Sequence, residues 1–84
     1  MYIVYVLQSL KDNNFYIGCT SNLEKRLLDH NRGKVKSTKS RRPLKLILKE
    51  EYLEKYQAFY KERYYKTARG KKELRIKIRN CGVV

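Results

Sequence analysis

The amino-acid sequence predicts a small α+β fold, a three-stranded antiparallel-rich sheet flanked by helices in the order β-β-α-β-α-α. Three observations carry that reading. Two short runs of β-branched, aromatic and aliphatic residues, Tyr2 to Leu7 and Phe15 to Cys19, are separated by a polar turn. A leucine stripe (Leu23, Leu27, Leu28) recurs at helical spacing just after them. An alternating segment, Leu44 to Tyr52, then stands before two further stretches of helical character. Eighty-four residues leave room for one core, so a single domain is expected over residues 1–84.

Each element has a local cause. Tyr2 to Leu7 contains no charged residue, which suits a strand covered on both faces. Lys11-Asp12-Asn13-Asn14 is a turn, because Asp and Asn tolerate positive φ. Phe15 to Cys19 closes an antiparallel hairpin with the first strand. Ser21 and Glu24 read as a capping box opening the first helix, and Gly33 ends it in a left-handed conformation. Lys34 to Pro43 reads as a basic loop, since Pro43 blocks helix. Leu44 to Tyr52 is a third strand with one wetter face. Lys55 to Lys66 is helical in spacing, with Tyr56, Phe59, Tyr60 and Arg63 on one side. Gly70 is expected to break that helix, leaving Lys71 to Asn80 as a last short one with Leu74 and Ile78 inward.

Composition narrows the function. The net charge is +13, from 21 lysines and arginines against eight acids. The excess is uneven: residues 1–31 are balanced, Arg32 to Lys49 holds eight bases and no acid, and Lys61 to Arg79 holds nine bases against Glu62 and Glu73. Such blocks favour a polyanion, because neutralised phosphates release counterions. A merely solvated basic surface is the plainer alternative. No apolar run approaches the roughly 18–20 residues that cross a bilayer, and no secretory signal opens the chain, so a cytoplasmic location without membrane contact is expected. Two cysteines and one histidine are too few for a disulfide scaffold or a four-ligand zinc site.

A few residue types stand where chemistry needs them. In the first strand Ile3, Tyr5 and Leu7 share a face; in the second, Tyr16 and Gly18 do. Tyr5 and Tyr16 face each other only in one of the two registers, since a one-residue slip flips every side chain. Gly18 leaves open space where a phosphate can approach the backbone. Arg26 and His30 lie one helical turn apart at the margin of the leucine stripe, suited to a phosphate fork and to proton relay or phosphate contact. Glu62, the only acid between Lys55 and Glu73, is either an ion-pair partner or a ligand for a hard cation. Tyrosines that only pack, and a helix face that is only solvated, remain the competing readings.

Taken together these positions resemble the GIY-YIG nuclease superfamily. The half-motifs stand as Ile3-Val4-Tyr5 and Tyr16-Ile17-Gly18 with ten residues between Tyr5 and Tyr16, followed by Arg26, His30-Asn31 and Glu62. The basic stretch Gly33 to Lys39 with Arg42-Pro43, and Lys66-Thr67 with Gly70, is similar to the small single-domain subgroup, itself similar to the catalytic N-terminal domain of the bacterial excinuclease. The resemblance implies the GIY-YIG fold and a metal-dependent DNA endonuclease, with DNA repair or recombination as its setting. It implies that Tyr5 and Tyr16 position and deprotonate the attacking water, that Arg26 stabilises phosphorane charge, and that His30 assists proton transfer. Glu62 would hold one Mg²⁺ or Mn²⁺ ion. Lys34, Lys36, Lys39, Arg41, Arg42, Lys66 and Arg69 would bind the nucleic acid.

The chain departs from the family pattern at three places. Ile3 replaces the first glycine of the motif. Cys19 and Thr20 stand where some relatives carry a lysine, and the asparagine that follows the metal glutamate in several relatives has no match; Lys66 or Arg69 would stand in. No separate DNA-targeting domain is visible, so cleavage should be weakly sequence-specific or directed by a protein partner. A nucleic-acid-binding module with the fold but little catalysis, and a basic interaction protein, are the alternative functions.

Overall fold

A computed structural model describes residues 1–81. The elements are β1 (Tyr2–Ser9), β2 (Phe15–Thr20), α1 (Leu23–Asn31), a 3₁₀ turn (Lys39–Arg41), β3 (Leu44–Tyr52), α2 (Lys55–Tyr65) and α3 (Ala68–Cys81). The expected order of strands and helices holds. β1 is the middle strand of a β2-β1-β3 sheet and pairs antiparallel on both sides.

That placement explains why β1 reads as apolar without alternation. One face of the sheet packs Tyr5, Leu7 and Leu44 against Tyr16, Leu46 and the α1 residues Leu23 and Leu27. The other face packs Val4, Val6 and Ile17 against Ala58 and Tyr65 of α2 and Leu74 of α3. With helices on both sides, every β1 side chain from Val4 to Leu7 is at most 2% exposed. Register slips between Val6 and Leu7, which pair with Leu48 and Leu46, so Ile47 is the extra residue of a bulge.

Several local expectations need correction. The N-cap of α1 is Asn22, whose Oδ1 accepts from the Lys25 amide at 3.2 Å; no capping box forms at Ser21. The Thr20 hydroxyl accepts from the Asn22 amide at 3.1 Å and holds that residue extended, which moves the helix start by one. Leu28 is 53% exposed, and the buried stripe of α1 runs through Leu23, Leu27 and His30 instead. The basic loop contains the 3₁₀ turn. The reading of α2 holds, with Tyr56, Phe59 and Tyr60 sharing one side; that side faces solvent, and the helix buries Ala58 and Tyr65.

Gly70 does not break a helix. It lies inside the first turn of α3, and the chain bends earlier, at Lys66 and Thr67. Thr67 caps α3: its Oγ1 accepts from the Gly70 amide at 3.0 Å and donates to the Tyr64 carbonyl at 2.6 Å. A Cβ at residue 70 would run into that same carbonyl, so glycine serves close approach of two helices. A polar network fixes α3 to β3 further along. Tyr65 Oη donates to Glu50 at 2.6 Å and Lys77 Nζ to Glu50 at 3.1 Å. Burial works to raise the Glu50 carboxyl, but these donors prevail and hold it below its ordinary pKa.

Candidate active site

The sheet register decides which side chains meet. Tyr5 pairs with Gly18 and Leu7 with Tyr16, so both tyrosines lie on the α1 face with ring centroids 6.3 Å apart. The space that glycine leaves open is filled by Tyr5 itself: a Cβ at residue 18 would strike the Tyr5 hydroxyl and ring. Gly18 therefore seats the tyrosine rather than clearing a path for phosphate. α1 crosses this face and delivers Arg26 and His30 from consecutive turns.

Arg26, Tyr5, His30 and Thr38 form a directed chain of hydrogen bonds. Arg26 Nε, which can only donate, reaches Tyr5 Oη at 3.4 Å. Tyr5 Oη lies 3.0 Å from His30 Nε2, and His30 Nδ1 lies 2.8 Å from Thr38 Oγ1. Thr38 Oγ1 donates to the Val35 carbonyl, which can only accept, at 3.4 Å. A donor at one end and an acceptor at the other set the sense: Tyr5 O–H donates to Nε2, and Nδ1–H donates to Thr38. His30 and Thr38 are 0% exposed and Tyr5 is 1%, so the chain is closed to solvent at its His30–Thr38 end and opens only at the Arg26 end, where Tyr5 Oη lies. Tyr16 packs edge-on to His30 at 4.9 Å between centroids.

The electrostatics follow from that burial. Desolvation pushes the Tyr5 phenol up to about 12, against the Arg26 hydrogen bond that opposes it. Desolvation and then the Arg26 charge lower His30, so the ring is neutral at pH 7 and its Nε2 lone pair is available. Arg26 itself is raised, first by its hydrogen bond to Tyr5, and stays charged.

The profile of the GIY-YIG catalytic domain matches residues 1–75. The chain belongs to the GIY-YIG family. It is 48% identical over 68 residues to the UPF0213 protein YazA of Bacillus subtilis, covering 79% of this chain and 69% of that one. It is 39% identical over 74 residues to the UPF0213 protein SH2523 of Staphylococcus haemolyticus, covering 87% and 89%. The solution NMR structure of the UPF0213 protein BH0048 from Bacillus halodurans superposes with a TM-score of 0.54 at 32% identity, over 88% of this chain and 82% of that one.

In this GIY-YIG chain Glu62 is not part of the hydrogen-bonded cluster. It sits on α2, against the other face of the sheet, with its carboxylate 3.4 Å from Lys66 Nζ and its side chain 19% exposed. Its charge nevertheless reaches across the β2 edge. Burial raises the Cys19 thiol and Glu62 raises it further; for Tyr5, Glu62 adds a smaller push in the same direction. A cleft of about 420 Å³, lined by Cys19 and Thr20 of β2, Arg26 of α1 and Phe59 of α2, joins the two helices around that edge. Among the described residues no three His, Cys, Asp or Glu side chains gather as a ligand set. A lone carboxylate, with the Cys19 thiol kept protonated by burial, suits a hard cation that keeps its waters and takes phosphate oxygens, and does not suit zinc.

The nucleic-acid candidates divide. Lys34 and Lys36 lie in the loop after α1, Lys39 opens the 3₁₀ turn and Arg69 is in the first turn of α3. Lys66 is exposed but paired with Glu62. Arg42 folds back, its Nε donating to the Lys39 carbonyl at 3.0 Å and its guanidinium lying over Gly33 at φ +80°. Arg41 is half-buried and points to a different groove, at the hairpin end of the sheet. The residue that motif reasoning misses is Thr38. It gives no periodic signal, lying in an irregular loop eight positions beyond His30, and only the loop's return to α1 places its hydroxyl.

Proposed function

We propose that this chain is a divalent-metal-dependent endonuclease that hydrolyses DNA phosphodiester bonds, and the observation that carries the reading is the Arg26–Tyr5–His30 chain. Family membership supports nuclease chemistry, and the +13 charge supports a phosphate-rich substrate. A phenol with a pKa near 12 is a poor source of tyrosinate. With His30 Nε2 at 3.0 Å it need not ionise first: as Tyr5 Oη takes a proton from the attacking water, its own proton passes to His30. Thr38 holds the ring with Nε2 as acceptor. Tyr16 orients the water from the open side. Arg26 has guanidinium N–H groups left to stabilise the charge that develops on phosphate oxygens. Glu62 would hold the Mg²⁺ or Mn²⁺ ion, whose chemistry is to polarise the phosphate and ease departure of the 3′ oxygen.

The test is nicking of supercoiled plasmid with Mg²⁺, with Mn²⁺ and with EDTA. Metal-dependent nicks are expected, and Glu62→Gln should lower their rate about 10²-fold or more while DNA binding survives. Salt-sensitive binding with no cleavage under any divalent ion would make the chain a binding module, and unchanged nicking by Glu62→Gln would remove the carboxylate from metal binding.

A second test addresses the relay. Thr38→Val is isosteric but leaves the Nδ1–H of His30 unpaired, and should lower kcat roughly tenfold, as a penalty of about 1–3 kcal/mol on the correct tautomer predicts. Thr38→Ser should restore the rate, and ¹⁵N shifts of the His30 ring report the tautomer directly. The parent's rate should fall on the acid side with an apparent pKa below the ordinary histidine value of about 6.5, because the folded ring resists protonation. The same shift makes the fold lose stability as pH drops below about 6.5, where the unfolded chain binds a proton that the buried ring does not. An acid limb above about 6.5, or an unchanged tautomer and rate in Thr38→Val, would contradict the relay.

A further inference from the structure

A groove of about 480 Å³ lies at the hairpin end of the sheet, between the β1–β2 turn, the 3₁₀ turn and α3. Arg41, Lys71 and Arg75 line it from two separate elements, Asn14 adds an amide, and Phe15 is part of its apolar wall. Among the described residues no acid lines it. Among the same residues the ion pairs use Lys61, Lys66 and Lys77, and none uses these three cations.

Gathering like charge round one concavity costs stability. Lys71 and Arg75 are an i,i+4 pair of the same sign, which by itself disfavours the helix. The backbone on the Arg41 side of the groove is nevertheless held in place. Ser9, 1% exposed, donates to the Arg41 carbonyl at 2.7 Å and accepts from the Lys11 and Asp12 amides. Asp12, in the adjoining turn, accepts from the Asn14 amide at 2.9 Å. Asp12 in that turn offsets part of the Arg41 charge, and Lys71 and Arg75 keep the groove cationic, which suits phosphate esters.

The groove's position says which phosphate ester. β2 lines both this groove, through Phe15, and the cleft beside Arg26, through Cys19 and Thr20. Four to five strand residues separate the two ends, about 15 Å. Successive phosphates on one strand of a duplex are spaced farther apart than the roughly 3.4 Å rise along the helix axis, so a backbone leaving the cleft along β2 reaches the groove within a few phosphates. We propose that Arg41, Lys71 and Arg75 form a second phosphate site that grips the nucleic-acid backbone at that distance from the scissile bond. This rests on the nuclease reading for its substrate.

The experiment compares Lys71→Glu/Arg75→Glu with Lys72→Glu/Arg79→Glu, an equal charge change elsewhere on α3. Binding of a 20-base-pair duplex is measured by fluorescence anisotropy in EDTA over a salt series, so that cleavage plays no part. The groove pair should weaken binding at least tenfold and make the slope of log K against log salt shallower by about two, near 0.9 for each lost contact. The control pair should move affinity no more than about twofold. Equal losses in the two pairs would overturn the groove while leaving the nuclease reading intact, and the expected difference in a chain that never nicks would do the reverse. Should the groove pair fail to fold, amide shifts of the parent chain settle the matter. Titration with the duplex must move Phe15, Lys71 and Arg75; a mononucleotide that moves them when the duplex does not would make this a small-molecule site and overturn the proposal.

Discussion

Tyr5→Phe is expected to lower nicking turnover by about 10²–10⁴-fold in a chain that still folds. The hydroxyl is the middle link of the Arg26–Tyr5–His30 chain, and no other group within it can both accept from water and donate to Nε2. The ring remains, so its packing over Gly18 and against Tyr16 is kept. The structural cost comes from His30, whose buried Nε2 loses its partner at about 1–3 kcal/mol. Thermal unfolding should therefore fall by several degrees, roughly 4–8 °C for each kcal/mol in a domain of this size. Circular dichroism with single-turnover nicking well below the melting temperature separates the two effects. Nicking at the parent's rate by a folded Tyr5→Phe would take Tyr5 out of the proton path.

Gly70→Ala should destabilise the fold by about 1–3 kcal/mol, although alanine is the better helix former. The methyl group would enter the Tyr64 carbonyl, which is backbone and cannot swing aside. Relief requires moving α3 away from the end of α2, loosening the Thr67 cap and the Leu74 and Tyr65 packing behind it. Urea unfolding monitored by tyrosine fluorescence gives the loss directly. A gain in stability, as bare propensity predicts, would show that the two helices leave room for a methyl group.

Gly18 and Gly70 mark where local rules give way. Propensity reads Gly70 as a breaker because it weighs backbone entropy and sees no neighbour; the structure needs the absent Cβ at a helix–helix contact. Gly18 reads as open space for the same reason, until the register places Tyr5 over it. Spacing does not choose the buried side of α2, because Tyr56, Phe59 and Tyr60 satisfy the helical period as well as Ala58 and Tyr65 do. Apolar character alone does not say which side meets the sheet, and an exposed aromatic such as Phe59 finds a lysine, Lys55, to cover its ring.

The candidate site shows the same division. Tyr5, Tyr16, Arg26 and His30 are legible because strand alternation and the i,i+4 spacing put each on a definite face, and the half-motifs fix their order. Glu62 is legible as a lone acid among bases, but its separation from the phenols is not. Helix α2 packs on the sheet face opposite α1, and only the narrow β2 edge brings its charge near Tyr5.

Strand and helix order, the cationic balance and the identity of the polar groups follow from residue type and spacing, which act over a few neighbours and survive in any fold of the chain. Which groups touch does not. The pairing of Tyr5 with Gly18, the return of Thr38 to His30 and the gathering of Arg41 with Lys71 and Arg75 join residues distant along the chain. Such contacts are set by how three layers share one small core, where filling volume and satisfying buried polar atoms must be solved for all elements at once.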